Sequence, residues 1–189
     1  MMFSTDNLWG IDLGGTKVEG VILKSASDPQ VLFRDRLPTG ASNGYDHIVN
    51  QIIALVGKMK AIAGYLPSHI GFATPGIRDP RTGTMKNCNS TALNGRYLKE
   101  DLMAKLGTSV TLANDANCFA LSEARMGVVR SHFPEARVVF GVIMGTGVGG
   151  GVVVDGKVIS GHHGIGGEWG HNFLDETGLP CYCGKTRLC

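Results

Sequence analysis

The sequence lacks long apolar segments and clusters of basic residues. No apolar run approaches the roughly 18 residues that a membrane-spanning helix needs. The first nine residues are too polar and too short for a secretory signal. The net charge is only +2, and no run of Lys or Arg accompanies it, which argues against a nucleic-acid partner. These absences predict a cytoplasmic protein that binds neither membrane nor nucleic acid.

Cysteine is also scarce, with five residues in a chain of 189. An odd number, with Cys181, Cys183 and Cys189 near one end, does not resemble the disulfide framework of a secreted domain. Metal ligation or free thiols are the favoured interpretations. Apolar residues make up 43% of the chain and charged residues 18%, so a globular protein with a hydrophobic core is expected.

Two stretches of the chain repeat one order of elements, namely an apolar strand, a glycine turn and an alternating strand. The strands are predicted at 8–13 and 18–23 in the first stretch, and at 137–144 and 151–159 in the second. The elements expected between them are strand 31–37, helix 45–63, strand 68–73, a hairpin within 77–89, helix 98–106, strand 110–113 and helix 116–127.

The repeat predicts a duplicated α/β fold. Its two lobes would comprise residues 1–127 and 128–189, with a cleft between them and a linker near 127–136. The second lobe has too few strands within the chain to bury its own sheet.

Asp115 lies where a predicted strand gives way to a predicted helix. Ligands of open α/β sheets bind at the carboxyl edge of the strands, so Asp115 could take a proton from a substrate hydroxyl that Asn114 positions. The alternative is that this Asn-Asp pair only caps the helix.

Two glycine-rich turns are candidate phosphate sites. In the first, the backbone of Gly14 and Gly15 and the hydroxyl of Thr16 could contact phosphate, and Asp12 could hold Mg²⁺ through water. The alternative is a tight hairpin turn, which needs glycine anyway. The second turn, 145–150, matches a dinucleotide fingerprint, but a strand follows it instead of the required helix. A second phosphate turn fits better.

Glu168 and His171 are three residues apart and could reach one ligand. His171 alone would more often be structural. Together with Cys181, Cys183 and Cys189 it forms a plausible closed, structural zinc site. By contrast, the pair His162-His163 is expected to be solvated.

Five motifs occur in this order: DLGGTK at 12–17, LANDAN at 112–117, GTGVGGG at 145–151, GEWGH at 167–171 and CYCG at 181–184. With them the chain resembles the ROK family of sugar kinases over about residues 10–184. Within that family, KNCNSTALNG at 86–95 looks most like the fructokinase and mannokinase branch. The resemblance implies the actin-like ATPase (ribonuclease H-like) fold, with the second lobe incomplete.

The resemblance also implies residue roles. Asp115 would be the base that deprotonates the 6-hydroxyl of a hexose, and His171 would bind both zinc and sugar. The implied sugar ligands are Gly76, Asn89, Asn114, Glu168 and His171. The implied ATP and Mg²⁺ residues are Asp12, Gly14, Gly15, Thr16, Lys17, Gly145, Thr146, Gly147 and Gly149. The implied Zn²⁺ ligands are His171, Cys181, Cys183 and Cys189.

The chain departs from the family pattern near its end. Five residues separate Cys183 from Cys189 where the family usually has four, and a sugar-binding glutamate after the last cysteine is missing, as is much of the second lobe. A poorly active, truncated kinase is therefore expected.

The main functional expectation is an ATP-dependent hexose kinase, with fructose as the first candidate substrate. Glucokinase and N-acetylglucosamine kinase are the alternatives within the same class. A sugar-responsive ROK regulator and an inactive sugar-binding fragment are alternatives of other classes. Against a regulator, only nine residues precede Gly10, which leaves no room for a helix-turn-helix, and Asp115 is present. A homodimer is expected from the family.

Overall fold

The computed structural model describes residues 3–144, 148–170, 172, 173 and 177. The chain divides into two compact units, Met1–Asp115 and Ala116–Cys189. The division falls at the start of a helix that the sequence analysis assigned to the first lobe.

The first unit contains a five-stranded mixed sheet with the order β3-β2-β1-β4-β7. Its first three strands form an antiparallel meander, whereas β4 runs parallel to β1 and β7 runs parallel to β4. The strands are β1 (Leu8–Leu13), β2 (Lys17–Leu23), β3 (Val31–Pro38), β4 (His69–Thr74) and β7 (Ser109–Asn114). The predicted strands are thus confirmed to within a residue or so at each end.

Two helices of the first unit follow their predicted bounds, α1 (Tyr45–Ala63) and α2 (Leu98–Leu106). Helix α1 packs on the meander through residues at helical spacing, and Gly64 ends it in the left-handed conformation (φ 81°). The buried residues of α1 are Ile48, Val49, Ile52, Leu55, Val56 and Met59.

A small hairpin, β5 (Ile77–Arg78) and β6 (Met85–Lys86), lies between β4 and α2 as the sequence predicts. Its turn is organised by Asp79, whose carboxylate accepts from the Arg81 amide at 2.8 Å and from Lys86 Nζ at 2.9 Å. These bonds lower the pKa of Asp79 to about 2.

The second unit contains α3 (Asp115–Arg125, entered from the first unit), α4 (Val128–His132) and a three-stranded sheet with the order β10-β9-β8. The strands are β8 (Val138–Met144), β9 (Val148–Val154) and β10 (Lys157–Val158). Like the first unit, it contains an antiparallel meander. Helix α3 lies against the sheet where Gly141 and Gly151 carry no side chain, and a Cβ on Gly151 would be 2.7 Å from the Ala116 carbonyl oxygen.

Two expectations for this region are wrong. The predicted strand 151–159 is divided by a turn, because Asp155 (φ 48°) and Gly156 (φ 72°) reverse the chain and Arg125 Nη2 donates to the Gly156 carbonyl oxygen at 2.6 Å. Gly149 lies inside β9 instead of in the turn, because strand pairing begins at Val148. The linker near 127–136 stays a prediction, and this segment includes α4, whose entry is fixed by the Val128 amide donating to Glu123 at 2.8 Å.

Among the described residues, no helix is long and apolar enough to cross a membrane. His162 and His163 are exposed, as expected.

Candidate active site

The carboxyl ends of three neighbouring parallel strands bring several predicted site residues to one edge of the first sheet. Asp12 of β1 is level with Ala73 of β4, and Thr74 of β4 is level with Asn114 of β7. Asp115 follows immediately as the first residue of α3. The predicted change from strand to helix at Asp115 is therefore confirmed. Because ligands of such sheets bind at the carboxyl ends of the strands, this edge is the candidate active site.

Two carboxylates concentrate negative charge at the edge. The pKa of Asp12 is raised above its ordinary value, first because neighbouring atoms remove water from its carboxyl group and second because of the charges of Asp115 and Glu19. The residue as a whole still has an exposed surface. Lys17 acts in the opposite direction and lowers the pKa of Asp12. The site therefore favours a bound cation or a proton.

The negative charge at this edge also affects the pKa of the Cys88 thiol. Burial raises the pKa of its thiol to about 12, and the carboxylate of Asp115 adds to the rise. The thiol is therefore neutral and unreactive at neutral pH, and it serves as an apolar neighbour of the site.

Gly76 occupies a position that admits no side chain. A Cβ there would lie 2.5 Å from the Lys86 carbonyl oxygen and 2.8 Å from the Cys88 amide nitrogen. Thr74, fully buried, fixes the same turn by donating from its hydroxyl to the Gly76 carbonyl oxygen at 2.9 Å. The segment that precedes Asn89 is thus pressed against the end of β4.

Asn94 holds that segment from the other side. Its Oδ1 accepts from the Cys88 amide at 2.9 Å, and its Nδ2 donates to the Cys88 carbonyl oxygen at 3.1 Å. Asn89 is exposed next to this clamp, where a ligand can reach it. The sequence alone does not identify Thr74 and Asn94 as residues that hold the loop beside the site. The Thr-Pro-Gly end of β4 and the Leu-Asn-Gly end of the loop were the available signals.

The first glycine turn joins β1 and β2 and is fixed from inside. The Gly14 amide donates to the Lys17 carbonyl oxygen at 2.9 Å, and Thr39 donates from its hydroxyl to the Gly14 carbonyl oxygen at 2.7 Å. The Gly14 amide is therefore occupied within the turn. Gly15 and Thr16 are exposed at its tip.

Lys17 begins β2 and forms an ion pair with Glu19 at 3.3 Å, with about half of its side chain exposed. The ion pair orients the ammonium group along the strand. Its charge still reaches Asp12, as the pKa of that residue shows.

In the second unit, Glu168 lies beside β9. A Cβ on Gly149 would be 3.8 Å from Glu168 Oε2 and 3.6 Å from Ala116 Cβ. The other residues predicted for the second phosphate turn and for the zinc site lie outside the described residues, namely Gly145, Thr146, Gly147, His171, Cys181, Cys183 and Cys189. Within the described part of the chain there is no group of three or more potential metal ligands of the His, Cys, Asp or Glu type.

Comparison with known proteins identifies the family of the chain. The ROK family model matches residues 8–189. The chain belongs to the ROK family. It is 40% identical to the N-acetyl-D-glucosamine kinase of Aliivibrio salmonicida over 187 residues, which is 94% of this chain and 59% of that protein. The chain therefore spans well under two thirds of the length of this relative.

Solved structures of ROK proteins have the same fold. The ROK hexokinase from Thermus thermophilus matches with a TM-score of 0.77 and 30% identity, covering 96% of this chain and 57% of that chain. A ROK family glucokinase from Streptomyces griseus, solved in complex with glucose and AMPPNP, matches with a TM-score of 0.81 and 27% identity, covering 96% and 55%. The α/β fold expected from the family is therefore confirmed.

Proposed function

We propose that the protein is an ATP-dependent hexose kinase that transfers the terminal phosphoryl group of ATP to a sugar 6-hydroxyl. The observation that carries the proposal is the placement of Asp12, Asn114 and Asp115 at one sheet edge, beside the Gly76 turn. The named relatives support it, since they are N-acetylglucosamine kinases, a hexokinase and a glucokinase.

N-acetylglucosamine is the proposed sugar, and it replaces the expectation of fructose. Eight relatives between 37% and 40% identical carry the name N-acetyl-D-glucosamine kinase. The segment 86–95 suggested a fructokinase, and the names of these relatives outweigh it.

In the proposed reaction, Asp115 accepts the proton of the sugar 6-hydroxyl. The resulting oxygen attacks the terminal phosphorus, the bond from that phosphorus to the bridging oxygen breaks, and ADP leaves. Asn114 and Asn89 hold the sugar so that the attacking oxygen is in line. Positioning and charge neutralisation supply most of the acceleration in phosphoryl transfer, and these residues act in that way.

Mg²⁺ fits the residues present. Asp12 offers a hard oxygen ligand in a region of concentrated negative charge, which is the donor type that Mg²⁺ prefers. When bound, the ion would neutralise charge on the phosphates. The zinc site of His171, Cys181, Cys183 and Cys189 stays a prediction, to be checked by metal analysis of the purified chain.

The deciding experiment is a coupled ADP-release assay with ATP, Mg²⁺ and N-acetylglucosamine, fructose, mannose or glucose. Turnover is expected with N-acetylglucosamine, and Asp115→Asn should lower it about 10²- to 10⁴-fold, as expected for loss of a general base. Asp28→Asn is the matched control because that carboxylate is exposed and its ion pair is with Lys24, at the surface. If Asp115→Asn keeps more than half of the turnover, Asp115 is not the base.

A sugar-binding protein without turnover is the competing function, and it covers both the regulator and the inactive fragment. Calorimetric binding of N-acetylglucosamine by a chain that releases no ADP would favour this alternative. The presence of Asp115 at the strand end favours the kinase.

A further inference from the structure

Ser90 carries a buried hydroxyl group that nothing in the described part of the chain engages. The residue is 7% exposed, and its Oγ has no hydrogen-bond partner there. A buried donor without an acceptor costs free energy, so such a group in a folded protein usually bonds to another protein group, to an ordered water or to a bound ligand.

The hydroxyl lies against the glycine turn between β1 and β2. Its Oγ is 3.5 Å from the position that a Cβ would occupy on Gly15. Because Gly15 has no side chain, the hydroxyl meets the backbone of the turn tip. Ser90 also directly follows Asn89, so one loop carries both a proposed sugar ligand and the hydroxyl beside the proposed phosphate turn.

The backbone around Ser90 is fixed by other groups. The Leu93 amide donates to the Ser90 carbonyl oxygen at 3.0 Å, and Asn94 clamps the peptide groups of Cys88. Ser90 precedes a short 3-10 turn, Thr91–Leu93, but its hydroxyl makes no capping bond to it. The hydroxyl is therefore not needed to hold the loop that carries it.

Thr39 shows what a structural hydroxyl does at the same turn. It is fully buried, and its Oγ1 donates to the Gly14 carbonyl oxygen at 2.7 Å while its amide donates to the Thr16 carbonyl oxygen at 3.0 Å. The two hydroxyls differ in that the Thr39 hydroxyl has an acceptor among the described residues and the Ser90 hydroxyl has none there.

We propose that the Ser90 hydroxyl donates a hydrogen bond to an oxygen of the terminal phosphate of the nucleotide held at the Gly14–Thr16 turn. The inference rests on the proposed function. A phosphate oxygen is a strong acceptor, and a neutral donor suits an anion at an edge that already carries Asp12 and Asp115. Ser90 is thus a residue that positions the phosphoryl group beside the sugar.

The test measures phosphate binding and stability separately. Magnesium pyrophosphate and N-acetylglucosamine are titrated calorimetrically into the unsubstituted chain, Ser90→Ala and Thr39→Val, and urea unfolding is followed for all three. Ser90→Ala should weaken pyrophosphate binding about tenfold, because a hydrogen bond to a charged group is lost. It should leave sugar affinity within about twofold and should not lower the urea midpoint. Thr39→Val should lower the midpoint.

Four results would overturn the proposal. They are unchanged pyrophosphate affinity in Ser90→Ala, loss of sugar affinity alone, a fall in the urea midpoint equal to that of Thr39→Val, and no pyrophosphate binding by the unsubstituted chain. The ADP-release assay distinguishes the two ideas. Pyrophosphate binding that depends on Ser90 in a chain without turnover would remove the kinase function and keep the contact. Turnover by a chain whose pyrophosphate binding does not depend on Ser90 would keep the kinase function and remove the contact.

Discussion

The two hairpins β1–β2 and β8–β9 share a sequence pattern but differ in how their faces are covered. In the first, Trp9 pairs with Ile22 on a face that α1 buries, and Trp9 is 4% exposed. In the second, Phe140 pairs with Val152 on the corresponding face, and Phe140 is 51% exposed. Helix α3 packs instead on the opposite face, at Gly141 and Gly151.

Strand alternation identifies an apolar face of a hairpin, but it does not identify the element that covers that face. In the first unit the covering element is the helix that follows the meander, with its apolar residues at matching spacing. In the described part of the second unit, only the segment around Gly167 and Trp169 lies against this face, at Gly150. The rings of Trp169 and Phe140 are edge to face, with their centroids 6.1 Å apart. The same pattern of apolar residues is therefore expected to contribute more to the free energy of unfolding in the first hairpin than in the second.

The largest expected difference is between Trp9→Ala and Phe140→Ala. Removing Trp9 leaves a cavity in a closed core and should cost about 3–5 kcal/mol of unfolding free energy. Removing Phe140 takes away a half-exposed ring and should cost about 1 kcal/mol or less. Urea unfolding of both variants checks this. Equal losses would mean that the second face is covered in solution, and the contrast between the hairpins would fail.

The glycines of the two hairpins give the next effect. A Cβ on Gly151 would lie 2.7 Å from the Ala116 carbonyl oxygen, whereas a Cβ on Gly20 would meet Met59 Sδ, the far part of a flexible side chain, at 2.6 Å. Gly151→Ala should therefore cost about 1–3 kcal/mol, because backbone must move. Gly20→Ala should cost less. Urea midpoints measure both, and a larger loss for Gly20→Ala would show that Met59 cannot yield.

The hairpins also differ in charge, since Asp12 of β1 has Ile143 of β8 as its counterpart. The pKa of Asp12 is raised above 3.8, so the folded protein binds this proton more tightly than the unfolded chain does. Ionised Asp12 therefore lowers stability, fully above its folded pKa and not at all below 3.8. Asp12→Asn should raise the urea midpoint at pH 7, and the gain should shrink as the pH falls toward about 4.

The control for this prediction is the same substitution in an Asp115→Asn background. The charge of Asp115 is the second cause of the raised pKa of Asp12, so the gain at pH 7 should be smaller there. A gain that is independent of pH would mean that the substituted amide stabilises the fold through new contacts and not through the lost charge.

Much of the fold follows from local signals in the sequence. The apolar spacing from Ile48 to Met59 predicts α1, and alternation predicts the strands of both hairpins. The apolar strand that ends before Asn114 predicts the strand-to-helix junction at Asp115. Each is a short-range pattern set by the periods of helix and strand. The turn at Asp155-Gly156 was missed because β-branched residues flank it on both sides and mimic one continuous strand.

The supporting residues of the site could not be predicted in the same way. Thr74 and Asn94 act through partners that strand order and loop closure bring near, and their sequence neighbours do not reveal those partners. The position of Ser90 beside the turn at Gly15 is likewise set by the tertiary structure. Asp115 was identifiable because its chemistry depends on a local strand-to-helix junction. Gly76 was marked as a turn, but its close contact with the Lys86 and Cys88 backbone required the tertiary structure.

The smallest expected change in stability comes from making the exposed face of the second hairpin polar. Val138 and Phe140 lie on this face with more than half of their surface exposed, so the double variant Val138→Thr/Phe140→Thr should change the unfolding free energy by only about 1 kcal/mol. The same change should clearly reduce the fluorescence of 8-anilinonaphthalene-1-sulfonate, a dye that binds exposed apolar surface. Leu8→Thr, a single change at an exposed position of β1, is the control and should alter dye binding less than the double variant does. A double variant that binds as much dye as the parent would place the accessible apolar surface elsewhere, and the two hairpin faces would then be more alike than their exposures indicate.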